Sequence, residues 1–318
     1  MKAWQVTAAG LPQDVMRLAE DVPEPVPADG QVLVRVRAAA VNFPDGLMCL
    51  GQYQVKPPLP FIPGVELCGE LPSGEPVIGN PVAPSGAFAE YALMDRRAIF
   101  PAPEALDDAE AAALHIGYQT AWFALHRRAA LRAGETLLVH AAAGGVGSAA
   151  VQLGRAAGAR VIAVVGGAQK AAVAKELGAD AVIDRHSEDF VAAVRELTGG
   201  RGADVVFDPV GGDAYTGSTK CIAFEGRIVV VGFASGTIPT PPLGHALVKN
   251  YTLLGLHWGL YNTKDPAAVR ACHEELSALA ATGAIRPLVS ERLPLAGAAD
   301  AVQRVLTGKT TGRVVILP

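Results

Sequence analysis

The chain has 318 residues, and at about 150 residues per domain that length calls for two domains, each able to bury its own core. Half the residues are hydrophobic, 18% are charged, and 27 Lys and Arg stand against 31 Asp and Glu for a net charge of −4. That balance argues against a disordered chain and gives no basic face for nucleic acid, so no nucleic-acid partner is expected.

No apolar run reaches the roughly 18 residues a membrane span needs, and residues 1–15 carry Lys2 but no apolar stretch followed by a cleavage site. A cytoplasmic protein with no membrane partner is expected. Cys49, Cys68, Cys221 and Cys272 are scattered, with no Cys-x-x-Cys pair, which spells neither a disulfide framework nor a structural zinc knuckle.

Between residues 32 and 103 short extended runs, at 32–41, 76–82 and 88–93, are broken by Pro-Pro, Ser-Gly and Pro-Gly turns, which predicts a small irregular β-domain. Asp107 and Asp108 then stand where they would cap an Ala-rich helix, and a second helical stretch covers 118–131. Strands are predicted at 136–140, 161–165, 181–183, 205–207, 227–231 and 252–256, with helices at 148–157, 169–177 and 188–198. Near-continuous apolar strands separated by helices mean an α/β domain with a doubly wound parallel sheet, covered on both faces, over about residues 117–256. Asp265 and Pro266 open a further helix that Gly283 stops, with Val269, Cys272, Leu276 and Leu279 at core spacing. The tail ends in a strand at 313–317 that can return to the first domain.

The strongest local signal is the run from Leu137 through His140, Ala141, Ala142, Ala143, Gly144, Gly145, Val146 and Gly147 to Ser148. A strand passes through small residues into a helix, the arrangement that brings a pyrophosphate close to backbone N–H groups at the positive end of a helix. Glycine turns alone are weak evidence; the strand–helix–strand context makes this one a dinucleotide loop. About 20 residues on, where a carboxylate would bind an adenosine 2′-hydroxyl, the chain has Gly166-Gly167-Ala168-Gln169-Lys170. No acid is there to repel a 2′-phosphate, Lys170 lies just beyond, and Arg185 after the next strand adds a second positive charge. NADPH is therefore the expected cofactor.

These residues resemble the quinone oxidoreductase (zeta-crystallin-like) branch of the zinc-independent medium-chain dehydrogenase/reductases. The resemblance covers essentially the whole chain and rests on segments 31–36, 42–45, 58–66, 87–91, 141–147, 208–212, 231–233 and 309–317. It implies a Rossmann NADPH-binding domain, residues 117–256, inserted into a chaperonin-10-like (GroES-like) β-barrel catalytic domain of residues 1–116 and 257–318. Zinc-dependent relatives carry a cysteine where this chain has Asn42-Phe43-Pro44-Asp45 and a histidine where it has Pro63-Gly64-Val65-Glu66, so no metal site is expected. The segment from Glu70 to Ala87 is shorter than is usual for the family, so the barrel is expected to be trimmed there.

The resemblance makes Asn42 and Tyr53 the catalytic, acceptor-side residues, Tyr53 as a phenol able to donate to the acceptor, while Asp45 fixes the loop backbone. It assigns Thr120 to the nicotinamide ring, Gly232, Phe233 and Ala234 to the nicotinamide ribose, and Val210 to the crevice at the strand ends. Ala143, Gly144, Gly145, Val146 and Gly147 hold the pyrophosphate; Gly166, Lys170 and Arg185 hold the adenosine end. His257 and His140 are read as packing residues.

The expected activity is metal-free, NADPH-dependent hydride transfer to a small quinone. Two alternatives stay open: reduction of an activated alkene such as an enone, alkenal or enoyl thioester, and, from another class, a non-catalytic NADPH-binding sensor or structural protein. The strand at 252–256 would be an open edge, which predicts a homodimer.

Overall fold

Strand β1 (Ala3–Val6) pairs antiparallel with β2 (Met16–Ala19), and β3 (Gln31–Ala40), β4 (Leu67–Glu70), β5 (Pro76–Pro81) and β6 (Tyr91–Pro101) follow. In β3 the side chains of Val32, Val34 and Val36 alternate inward, each worth about 1.5–3 kcal/mol when fully buried. The long β3 divides its pairing: residues 31–35 pair with β6, 35–39 with β4, and Ala39 and Ala40 with the last strand of the chain. Strands β4 and β5 are joined by a tight turn in which Leu71 N–H donates to Glu75 O at 3.0 Å and Gly74 N–H to Leu71 O at 2.8 Å. The short segment after Glu70 is thus one small hairpin.

Helix Asp108–Trp122 begins with reciprocal capping. The Asp107 carboxylate accepts from Glu110 N–H at 2.9 Å, and Glu110 accepts from Asp107 N–H at 3.2 Å. The two helical stretches expected here are one continuous run, which widens into a π-helical segment at Phe123–Arg128.

The chain then lays down β7 (Thr136–His140), β8 (Arg160–Val165), β9 (Ala181–Asp184), β10 (Ala203–Asp208), β11 (Ile222–Val230) and β12 (Thr252–Gly255), with helices Gly145–Ala156, Ala168–Glu176, Phe190–Leu197 and Gly212–Cys221 between the first five. All pairings are parallel, in the spatial order β12-β11-β10-β7-β8-β9. The order in which strands are added reverses between β7 and β10, so the carboxyl ends of these parallel neighbours open a crevice at the switch point.

Helix Pro266–Ala281 opens as expected, with Ala268 N–H donating to Asp265 Oδ1 at 3.2 Å, and buries Val269, Cys272 and Leu276. The tail adds β13 (Val289–Pro294), helix Ala298–Leu306 and β14 (Arg313–Leu317). Sheet order β13-β14-β3-β4-β5-β6, with β6 also paired to β3, closes β3–β6 into a barrel around Val34, Phe88, Met94 and Ile316. The doubly wound and barrel folds expected from the sequence are both present.

The computed structural model describes all 318 residues, in two units: Met1–Ile116 with His273–Pro318, and Gly117–Cys272. Both divisions fall inside helices. Residues 257–272, grouped with the barrel in the sequence-based division, cluster with the doubly wound unit because of their own contacts. Trp258 Nε1 donates to Gln119 Oε1 at 3.2 Å, the Tyr261 ring lies 4.3 Å from that of Phe123, and Arg127 pairs with Asp265 at 3.4 Å.

Candidate functional site

In the doubly wound unit, every sequence-predicted cofactor residue except Thr120 follows the carboxyl end of a parallel strand. Ala143, Gly144, Gly145, Val146 and Gly147 follow β7, Gly166 and Lys170 follow β8, Arg185 follows β9, Val210 follows β10, and Gly232, Phe233 and Ala234 follow β11. Parallel pairing puts those ends on one edge of the sheet, so residues from Ala143 to Ala234 share it. Thr120 sits buried on helix Asp108–Trp122.

The turn after β7 is bent by Ala141, in the left-handed region at φ 49°, and closed by Gly144 N–H donating to Ala141 O at 2.8 Å. Ser148 N–H is bonded to Gly144 O, and the N–H groups of the first helical turn, at Gly145, Val146 and Gly147, are those a helix leaves without an intrahelical partner. A Cβ on Gly147 would lie 2.1 Å from Ala141 O. That glycine is needed by the turn's own backbone, before any ligand arrives, while Gly144 and Gly145 face outward enough to be part-exposed.

At the end of β8 the geometry is electropositive. A Cβ on Gly166 would meet His186 Nε2 at 2.9 Å and Arg185 Nε at 3.1 Å, so both side chains converge on that glycine. Lys170 is half-buried, and desolvation, then the neighbouring Arg185 charge, lower its pKa. The Asp184 carboxylate organises the turn: Oδ1 accepts from Gly167 N–H at 2.8 Å and His186 N–H at 3.0 Å, and these bonds hold it below the usual carboxylate range. Asp184 and His186 were not singled out from the sequence. An exposed Asp-x-His turn carries no periodic signal.

The loops after β10 and β11 lie together. Val231 N–H donates to Asp208 O at 2.8 Å and Ala234 N–H to Pro209 O at 3.0 Å, while Asp208 Oδ1 caps Val210 and Gly211 N–H at 2.8 and 2.9 Å. His140 packs as expected: Nε2 lies 2.8 Å from Ser218 Oγ, and burial pushes its pKa down to about 4, which keeps the imidazole neutral. His257 is exposed at the start of a short 3-10 turn.

The acceptor-side residues belong to the barrel unit. Asn42 caps helix Phe43–Cys49 at the end of β3, and its side chain turns inward. Nδ2 donates to Ala40 O at 3.0 Å and Glu66 Oε1 at 2.7 Å, and Oδ1 accepts from Arg313 Nη1 at 3.0 Å. An amide so committed supports the loop and presents little to a bound molecule. Asp45 Oδ2 accepts from Asn42 N–H at 2.7 Å and Oδ1 from Gly64 N–H at 3.0 Å, the backbone-fixing part expected of it.

Arg313 also pairs with Glu66, whose other oxygen accepts from Ile116 N–H at 2.7 Å. One buried cation thus serves two buried carboxylates. Burial pushes Asp45 up to about 7, against the pull of its N–H donors and of Arg313, and brings Arg313 down to about 10. Tyr53 is half-exposed in the loop beyond the helix, where burial and then the Asp45 charge raise its phenol pKa, so it is protonated and able to donate at neutral pH.

Zinc does not fit these residues. Nowhere do three His, Cys, Asp or Glu side chains gather as a metal would require, and burial holds the Cys49 thiol up at about 12, with Cys68 raised further.

Two family models match the chain: the alcohol dehydrogenase GroES-like domain over residues 28–104 and the zinc-binding dehydrogenase over residues 145–274. A quinone oxidoreductase-like protein 2 homolog from Nematostella vectensis is 40% identical over 298 residues, covering 90% of this chain and 81% of that protein. The Thermus thermophilus quinone oxidoreductase, solved also as its complex with NADPH, is 35% identical with a TM-score of 0.88, and the Escherichia coli quinone oxidoreductase complexed with NADPH is 29% identical with a TM-score of 0.91. Both cover all of this chain and all of their own. With barrel, doubly wound sheet, glycine turn and these likenesses all over the same residues, the chain belongs to the zinc-independent quinone oxidoreductase branch of the medium-chain dehydrogenase/reductases.

Proposed function

We propose that this protein is an NADPH-dependent, metal-free oxidoreductase that reduces a small quinone. The observation that carries the cofactor reading is the turn after β8, where Arg185 reaches to about 3 Å from the Cβ position of Gly166, half-buried Lys170 stands nearby, and the two local carboxylates, Asp184 and Glu188, accept from backbone N–H groups. The first-turn N–H groups of helix Gly145–Ala156 hold the pyrophosphate, and Gly232, Phe233, Ala234 and Val210 line the nicotinamide end. NADPH, when bound, supplies a hydride.

The chain's own residues then bind, orient and donate. Thr120 flanks the nicotinamide, and Tyr53 orients the acceptor oxygen by donating its hydroxyl proton in a hydrogen bond. Asn42 acts one step back, holding the start of the helix from which the Tyr53 loop departs. The quinone is supported by the likeness to the Thermus and Escherichia quinone oxidoreductases.

Strand β12 has a free edge, and Leu243, Leu247 and Val248 on the preceding helix Leu243–Lys249 are each more than 70% exposed, an apolar surface that suits pairing with a second copy. The working unit in this reading is a homodimer in the cytoplasm, in keeping with four buried free thiols and with no helix long and apolar enough to cross a membrane. Turnover of a benzoquinone, an enone and an enoyl thioester with NADPH under one set of conditions tests the acceptor. The quinone is expected to have the highest kcat/KM; an enoyl thioester well ahead of it would move the activity to double-bond reduction.

A further inference from the structure

We propose that His186, as an imidazolium, is a third cationic ligand of the cofactor's 2′-phosphate, so that the preference for NADPH over NADH strengthens as pH falls through the histidine range. The inference rests on the NADPH reading above and adds to it a residue and a pH dependence.

Three placements carry it. First, Nε2 of His186 lies 2.9 Å and Arg185 Nε 3.1 Å from where a Cβ of Gly166 would be. Gly166 directly follows β8, the strand whose end receives the adenosine ribose in this fold. Secondly, the backbone that carries the imidazole is held in place: Asp184 Oδ1 accepts from the main-chain N–H groups of both His186 and Gly167, which ties the two sides of the turn together. Thirdly, His186 is exposed, so it is open to an anion arriving from solvent.

The charges around His186 favour an anion with more than one negative charge. Arg185 on the same turn and Lys170 from helix Ala168–Glu176 are cationic, and Asp184 and Glu188 are the acids. Both acids are engaged with backbone: Asp184 as above, and Glu188 Oε1 with Asp184 N–H at 3.1 Å. A phosphate monoester near neutrality carries about 1.5 to 2 negative charges and three strong acceptor oxygens; Arg185 and Lys170 can balance the charge and still leave acceptor positions for a third donor. A 2′-hydroxyl has no charge to answer an imidazolium, so His186 would be indifferent to NADH.

The test is equilibrium binding of NADPH and NADH to the full-length protein, read by cofactor fluorescence at about pH 6 and about pH 8, for the wild type and His186→Gln. Glutamine keeps a hydrogen-bond donor and loses the charge, and the phosphate's own titration cancels between variants at one pH. The expected result is NADPH binding about fivefold weaker in His186→Gln at the lower pH, under twofold at the higher, and NADH unchanged at both. An equal loss for both coenzymes, an NADPH loss that does not vary with pH, or no loss at all would overturn the proposal. If the wild type binds NADH as tightly as NADPH at both pH values, the cofactor reading itself fails, a result distinguishable from failure of His186 alone.

Discussion

Arg313 donates from Nη1 to Asn42 Oδ1 at 3.0 Å, joining residues 271 positions apart in sequence. The same guanidinium pairs with Glu66 in surroundings that leave Arg313 only 4% exposed. The last strand of the chain thereby holds the cap of the helix that leads to Tyr53.

Removing that cation leaves Glu66 as an uncompensated buried charge. Arg313→Met is expected to destabilise the protein by about 3–5 kcal/mol in denaturant unfolding, and Arg313→Lys by less, since an ammonium keeps the charge but loses the fork. A loss below about 1 kcal/mol for Arg313→Met would mean that the pair adds nothing to the fold.

Burial raises the Asp45 carboxyl to about 7 in the folded protein, against 3.8 for an unperturbed aspartate. A folded pKa raised in this way stabilises the native state below the unfolded pKa, and that contribution is lost as pH rises through the folded one. Asp45→Asn, which stays neutral, should therefore gain on the wild type between about pH 4 and pH 7, by an amount on the order of a few kcal/mol, over a constant cost for its lost acceptor. Urea midpoints for the two proteins across that range measure it; parallel curves would place the Asp45 pKa near its unfolded value.

Gly147→Ala places a methyl group 2.1 Å from Ala141 O. The turn has to shift, and a loss of about 2 kcal/mol or more in unfolding is expected together with weakened NADPH binding. Normal stability with weakened binding would instead make Gly147 a contact for the cofactor alone.

Much of this arrangement was legible in the sequence. The buried strand Thr136–His140 appears there with its observed ends, because a parallel strand covered on both faces is an uninterrupted apolar run. Strand Leu67–Glu70 escaped because Gly69 breaks the run, yet a Cβ at Gly69 would lie 2.5 Å from Arg35 O. The residue that hides the strand is the one that lets it pair so closely. Helix Gly212–Cys221 also escaped, since Ser218 and Thr219 fill buried positions where an apolar period would have marked it. At the site, the glycine turn announces itself through local composition. The partnership of Asn42 with Arg313 and the convergence of His186 on Gly166 do not, because each depends on tertiary placement of side chains that look like ordinary polar surface.

Lys170→Glu reverses a charge beside the proposed 2′-phosphate position. NADPH should bind at least about tenfold more weakly, the scale of a lost charge-assisted hydrogen bond, with NADH little affected. Titrations with both coenzymes check this; equal losses would remove Lys170 from the phosphate site.

Tyr53→Phe deletes the one phenol assigned to the acceptor. A drop of about tenfold in kcat/KM for quinone is expected with the NADPH dissociation constant unchanged. Unaltered steady-state kinetics would assign Tyr53 to loop packing.

The most direct measurement mixes chelator-treated protein, preloaded with NADPH, against a benzoquinone in a single turnover while cofactor absorbance and quinol are followed together. One quinol formed for each NADPH oxidised, at a rate that added zinc leaves unchanged, is the predicted result. No oxidation by any quinone, or oxidation that returns only when zinc is restored, would contradict it.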